Sequence, residues 1–237
     1  MNKFLNETLC LICAKGNSQG LKNKNIKKIN KKTLIEIAFK KAEQNKLKFF
    51  CLSTESQKIR KIANSFGLRS FFTRRKYLTE ANISKLDVWK DALIKSEKFY
   101  NKKFKYILDI EVTNPLTTKK DLNDFIKFFL KNINKSIDGC LCVHESKKNP
   151  YFTILKSTET GFKIFIDDSK NIFSRQKAPK TYDHIGAFYI LKREYLLNTK
   201  RLFDGNLIGF NIDFDKTFDI DTINDFKLVK KLSKNEK

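Results

Sequence analysis

The sequence predicts an α/β fold: a three-layer sandwich in which helices cover both faces of a mostly parallel sheet. Three observations carry this. Segments such as "TLCLICA" (8–14), "KYILDIEV" (105–112) and "IDGCLCV" (137–143) are nearly continuous apolar runs, as strands become when both faces are covered. Amphipathic stretches with helical spacing alternate with them. Helix-capping residues stand where those stretches begin. At 237 residues, the chain suits one core with an appendage.

In order, "TLCLICA" is the first strand, and "LICAKGNSQGLKNKN" (11–25) runs from it into a polar loop. A helix over "TLIEIAFKKAEQN" (33–45) starts behind Thr33 as its cap, and "LKFFCLST" (47–54) is the next strand. Thr54 with Gln57 resembles a capping box for "ESQKIRKIANSF" (55–66), which Gly67 stops. A short strand is expected at 70–73. Ser84 with Asp87 opens "KLDVWKDALIKSEKFY" (85–100), and the strand at 105–112 ends in "TNPLTT". Thr118 with Asp121 opens "KKDLNDFIKFFLKN" (119–132), before the strand at 137–143. Residues 150–168 read instead as a hairpin, "YFTILKS" and "FKIFID" joined around "TETG", with no helix between them. "GAFYILKREYL" (186–196) and "LIGFNIDF" (207–214) restore strands, and "TINDFKLVKKL" (222–232) is the last helix.

The net charge is +23, a value that ordinarily suggests a polyanionic partner. The lysines are spread through every segment, which fits a solvated surface better than a nucleic-acid stripe, so no nucleic-acid partner is expected. The apolar run at 8–14 is much shorter than the roughly 20 residues of a membrane helix, and a cytoplasmic protein is expected. Five cysteines argue against a disulfide framework. Cys10 and Cys13 form C-x-x-C, but on a strand they point to opposite faces, so all five are read as buried structural thiols. Trp89 and the phenylalanines are read as core, and His184 as structural.

The loop after the first strand is the informative segment. In an open parallel sheet, ligands bind beyond the carboxyl ends of the strands. Gly16 and Gly20 allow close backbone approach, so that amide groups can ring an anion, and Lys15 and Lys24 add positive charge. The spacing is neither a Walker A loop nor G-x-G-x-x-G, which excludes P-loop kinases and dinucleotide dehydrogenases. An ordinary strand-to-helix loop with surface lysines fits the composition equally well.

Five motifs in order resolve that choice. "AKGNSQGLKNKNI" (14–26) resembles the A-R-x-x-S-K-G-[IL]-x-x-K-N-[IL] signature of the CMP-sialic acid synthetase (acylneuraminate cytidylyltransferase) family. "RRKYLTEA" (74–81), "DIEVTNPLTT" (109–118), "RQKAPKTYDHIGAFYI" (175–190) and "DIDTINDF" (219–226) are similar to its later motifs. The resemblance implies a Rossmann-like sandwich of nucleotidyltransferase type. It implies one domain over 1–237, with 148–186 projecting as a hairpin region that makes a homodimer. It also implies transfer of CMP from CTP to the anomeric hydroxyl of an acidic nine-carbon sugar, with Mg²⁺ as cofactor.

By the same resemblance, Ala14, Lys15, Gly16, Asn17, Ser18, Gln19, Gly20, Lys24, Asn25 and Arg74 are the expected nucleotide contacts. Glu111, Thr113, Asn114, Arg175, Gln176 and Tyr182 are the expected sugar contacts. Asp219 and Asp221 are the expected metal ligands, and Lys15, Lys24, Arg175 and Asp221 carry the catalytic roles. Two alternatives stay open on the residues alone: Asp221 as the cap of the last helix, and Asp213 with Asp215 as a second carboxylate pair of equal spacing. The chain departs from the family pattern at Lys15, Gln19, Thr117 and Ile185. Glu111 stands where many members have glutamine, and would repel a sugar carboxylate unless it is paired.

Overall fold

The computed structural model describes residues 1–18, 20–168, 172 and 174–233. In chain order its elements are α1 (Asn2–Glu7), β1 (Thr8–Cys13), β2 (Lys28–Ile29), β3 (Lys32–Thr33), α2 (Leu34–Gln44), β4 (Phe49–Ser53), α3 (Gln57–Asn64) and α4 (Lys85–Tyr100). There follow β5 (Tyr106–Ile110), α5 (Lys119–Asn132), β6 (Gly139–Glu145), β7 (Leu155–Thr158), β8 (Gly161–Ile164), β9 (Tyr182–Lys192), α6 (Arg193–Asn198), β10 (Leu207–Asn211) and α7 (Ile223–Leu232). Six strands form one sheet in the spatial order β10-β6-β9-β5-β1-β4. β9 runs antiparallel to β5 and β6, and the remaining pairs are parallel.

The alternation of side chains along a strand builds the two outer layers. Leu9 and Leu11 of β1 face one way, into a cluster with Trp89 and Leu93 of α4 and Leu196 of α6. Cys10 and Ile12 face the other way, against Ile35 and Phe39 of α2 and Phe125 and Phe129 of α5. Each such side chain contributes about 1.5–3 kcal/mol on burial. Thr33 with Glu36, Thr118 with Asp121, and Thr222 with Asp225 each form a reciprocal capping box, which fixes where α2, α5 and α7 start.

Four expectations from the sequence need correction. The cap of α3 is Ser56, whose hydroxyl accepts from the Ile59 amide, not Thr54. Residues 70–73 form no strand, because the Ser70 hydroxyl donates to the Leu52 carbonyl at 3.1 Å and the Phe72 carbonyl at 2.8 Å, competing with a ladder. The segment 193–196 is helical in α6, drawn off the sheet where Arg193 clasps Glu97 at 2.7 and 3.0 Å. Finally, Cys13 is only half-buried and lines a cleft at the ends of β1 and β5, while Cys10, Cys51, Cys140 and Cys142 are buried.

β7 and β8 pair as a separate two-stranded sheet, with Leu155 opposite Ile164 and Ser157 opposite Phe162. This hairpin leaves apolar side chains in solvent, Phe162 at 75% and Leu155 at 54% exposure. Among the described residues no helix is long and apolar enough to cross a membrane.

Candidate active site

β1, β4 and β5 end at the same edge of the sheet, and the loops that follow them form the site. The loop after β1 is pinned in three places. The Ala14 amide donates to the Ser53 carbonyl at 3.0 Å. The Asn25 side-chain amide donates to the Lys15 carbonyl at 2.8 Å, and the Gly16 amide donates to a Glu55 carboxylate oxygen at 2.6 Å. Both glycines serve close approach of one segment to another. A Cβ on Gly20 would sit 2.5 Å from the Asp221 carbonyl oxygen, and one on Gly16 would sit 2.7 Å from the Ser56 Cβ. The glycines thus seat the loop against β4's exit and against the segment before α7.

The opposite wall comes from β5 and the approach to α7. The Ile220 amide donates to the Thr113 carbonyl at 3.0 Å, which sets Asp219 beside Thr113. Desolvation, reinforced by the neighbouring Glu111 and Asp221 charges, holds the Asp219 carboxyl above its usual range; the Thr113 hydrogen bond and Lys24 oppose the shift. Thr222 and Asp225 cap α7, which releases Asp221 from the capping role it could have held. The Asp221 carboxylate reaches across to the Lys24 ammonium at 2.9 Å. Asp213 is paired with Lys216 at 3.1 Å, and neither Asp213 nor Asp215 lines the cleft.

Between the walls lies a cleft of about 540 Å³ lined by Lys15, Ser18, Gly20, Lys24, Arg74, Glu111, Thr113 and Asp221, among others. Arg74 is buried and rigidly aimed: its Nε donates to the Ser53 hydroxyl at 3.0 Å and one Nη to the Ser53 carbonyl at 2.5 Å. Asn25 lines the cleft but commits its side-chain amide to the loop. Ala14 is buried beneath the loop and Asn17 is exposed; Gln19 lies outside the described residues. Asn114 is buried, its side chain donating to the Phe218 carbonyl at 3.3 Å. Arg175 and Gln176 are exposed on a short 3-10 turn, Arg175–Lys177, and do not line the cleft. Tyr182 lines a separate apolar hollow of about 440 Å³ with Leu141, Val143 and Phe203.

Lys85, at the start of α4, escaped the sequence reading, as did Asp109 in β5. Lys85 lies 2.9 Å from the buried Asp109 carboxylate and also pairs with Glu111. Lys85 looked like any solvated lysine in a lysine-rich chain. A signal existed in Asp109, an acid inside an otherwise apolar strand, which requires a buried partner.

A glycine-seated cationic loop and an arginine beyond the carboxyl ends of a mostly parallel sheet, faced by carboxylates, define an α/β protein that binds a phosphorylated ligand. A family model described as cytidylyltransferase matches residues 9–237. The chain is 36% identical over 233 residues to post-translational flagellin modification protein B of Campylobacter coli, covering 98% of this chain and 97% of that one. It is also 36% identical over 224 residues to the CMP-N,N'-diacetyllegionaminic acid synthase of Campylobacter jejuni, covering 94% and 93%. A solved structure of CMP:2-keto-3-deoxy-manno-octonic acid synthetase complexed with CTP shares the fold, at a TM-score of 0.71 and 16% identity, over 98% of this chain and all of that one. The chain belongs to the cytidylyltransferase family, and it is a nucleotidyltransferase enzyme.

Proposed function

We propose that this enzyme transfers CMP from CTP to the anomeric hydroxyl of an acidic nine-carbon sugar of the sialic, legionaminic or pseudaminic type, releasing pyrophosphate. One observation carries the reading: Lys15, Ser18, Lys24 and Arg74 converge on the cleft that Glu111, Thr113 and Asp221 close from the other side. The four polar and cationic groups suit a polyphosphate, and Glu111 suits a polyhydroxy acceptor. Relatives whose names carry such activities, a CMP-N,N'-diacetyllegionaminic acid synthase and a pseudaminic acid cytidylyltransferase, align along 94% and 96% of the chain.

In the reaction, the anomeric oxygen attacks the α-phosphorus of CTP. The new O–P bond forms as the bond from that phosphorus to the α–β bridging oxygen breaks, pyrophosphate leaves, and the hydroxyl proton passes to water. Little covalent work falls to the protein in phosphoryl-type transfer, so positioning and charge neutralisation dominate. Lys15 and Lys24 neutralise phosphate oxygens, and Arg74, held on Ser53, presents its remaining N–H groups to the nucleotide.

Asp219 and Asp221 would hold Mg²⁺. The donor set fits: Asp219 has two like charges beside it that a cation would offset. Among the described residues no group of three or more His, Cys, Asp or Glu forms a metal cage, and Mg²⁺ characteristically takes one or two carboxylates plus substrate phosphates and water. When bound, the ion supplies Lewis-acid neutralisation of phosphate charge. The β7–β8 hairpin, with its exposed apolar residues, serves as the contact of a homodimer.

The deciding experiment is pyrophosphate release from a panel of nucleoside triphosphates and acidic sugars with Mg²⁺ present. CTP with a nine-carbon acid is expected to turn over fastest. If no pair turns over while RNA binds with a steep salt dependence, the reading fails.

A further inference from the structure

The acceptor side of the cleft holds an arrangement that the reaction alone does not require. Glu111 lines the cleft, and its backbone is fixed where its amide donates to the Ala187 carbonyl at 3.0 Å. That bond lies next to an irregularity in the sheet: β6 pairs Leu141 with Tyr189 but Cys142 with Ile185, so β9 bulges over 186–188. Bulges re-aim side chains beside sites. The Lys85 ammonium, which is not among the residues lining the cleft, pairs with Glu111. It is shared between Glu111 and the buried Asp109, 2.9 Å away, and lies 4.6 Å from the Tyr189 ring centroid and 5.1 Å from that of Trp89.

A carboxylate in the path of an acidic sugar is unfavourable, because like charges held close together in a cleft screened less than bulk water repel. The geometry points to Lys85 as a positioning residue for the acceptor: seated between Asp109 and Glu111, it neutralises Glu111 and holds it toward the cleft, so that an acidic sugar can lie beside it and donate hydroxyl hydrogen bonds to it. This inference rests on the acidic-sugar reading above. The surroundings agree with it. Desolvation would lower the Lys85 pKa, but Asp109 and Glu111 outweigh it and hold the ammonium charged. Burial raises the pKa of Asp109, and the Lys85 ammonium beside it opposes that shift. The two rings favour a cation at this spot.

The test is steady-state kinetics of pyrophosphate release for Lys85→Met, Lys85→Arg, Glu111→Gln and the Lys85→Met/Glu111→Gln double variant, with CTP and the best acceptor found for the wild type. Lys85→Met is expected to raise the KM for the sugar about tenfold or more, with the KM for CTP within about twofold. Lys85→Arg recovers most of the loss. Because Lys85 acts through Glu111, the double variant is expected to be no worse than Lys85→Met alone. Additive losses, or equal rises in both KM values, would overturn the inference. Should Lys85→Met fail to fold, Glu111→Gln, which leaves the Lys85–Asp109 pair intact, carries the same sugar-against-CTP comparison. A wild type that turns over no acidic sugar defeats the functional reading itself; a wild type that does, beside an indifferent Lys85→Met, defeats only this inference.

Discussion

The Lys24 ammonium lies 2.9 Å from an Asp221 carboxylate oxygen and so joins groups 197 residues apart in the chain. The Asp221 side chain is 72% exposed, and a solvent-exposed pair of this kind contributes at most about 1 kcal/mol to stability. Its value lies in placement: the loop after β1 and the segment before α7 present opposite charges across the cleft that takes the triphosphate.

Asp221→Ala is therefore expected to lower Mg²⁺-dependent transfer by about a hundredfold or more, with the unfolding midpoint nearly unchanged. Pyrophosphate release and a thermal melt on the same sample check both halves. Unchanged turnover would remove Asp221 from the proposed metal site.

The second prediction concerns Gly20. Its missing side chain leaves room for the Asp221 carbonyl, which an added Cβ would approach to 2.5 Å, against a backbone atom that cannot rotate away. Gly20→Ala should push the loop off the α7 approach, costing about 1–3 kcal/mol and raising the KM for CTP. Chemical denaturation and kinetics measure the two effects; an undisturbed KM would show that the loop tolerates the shift.

How far the sequence carried this picture depended on the range of each signal. The apolar runs at 8–14 and 105–112 and the Thr33 and Thr118 starts are local, and each returns in the structure at its expected place. The antiparallel direction of β9 left no local mark, because a strand buried between β5 and β6 is equally apolar whichever way it runs. The loop at 14–26 was legible through its motif, yet the reason for its glycines was not, since contact with Ser56 and Asp221 is a tertiary fact. Lys85 was hidden for the same reason. Its partners Asp109 and Glu111 are 24 and 26 residues away in sequence, and nothing in the helix that starts at Lys85 distinguishes it from the other lysines.

Lys41 gives the third prediction. This side chain is buried at 5% exposure and donates to the Asn114 carbonyl at 3.1 Å and the Thr117 hydroxyl at 2.6 Å. Burial lowers its pKa from 10.5 to about 7, with Asp121 opposing the shift. Between pH 7 and 10 the unfolded chain then binds a proton at this site that the folded protein does not, so stability at this group rises with pH. The limiting slope is about 1.4 kcal/mol per pH unit. Lys41→Met removes the titration, so wild type should gain stability relative to the variant between pH 7 and 9. Urea unfolding at several pH values measures the difference, and a difference that is flat or falls with pH would contradict the assignment.

The last prediction concerns the hairpin. Cross-strand pairing puts Leu155, Ile164 and Phe162 on one face of the β7–β8 ribbon, and Phe162 and Leu155 are among the most exposed apolar side chains described. A two-stranded ribbon is marginal in water by itself, and its apolar face has no place in either core cluster. A second copy of the chain would cover it. Leu155→Asp with Phe162→Asp should convert the proposed homodimer to a monomer in sedimentation, while the far-ultraviolet dichroism of the six-stranded domain stays the same. A wild type that sediments as a fully active monomer would remove the hairpin from any assembly role.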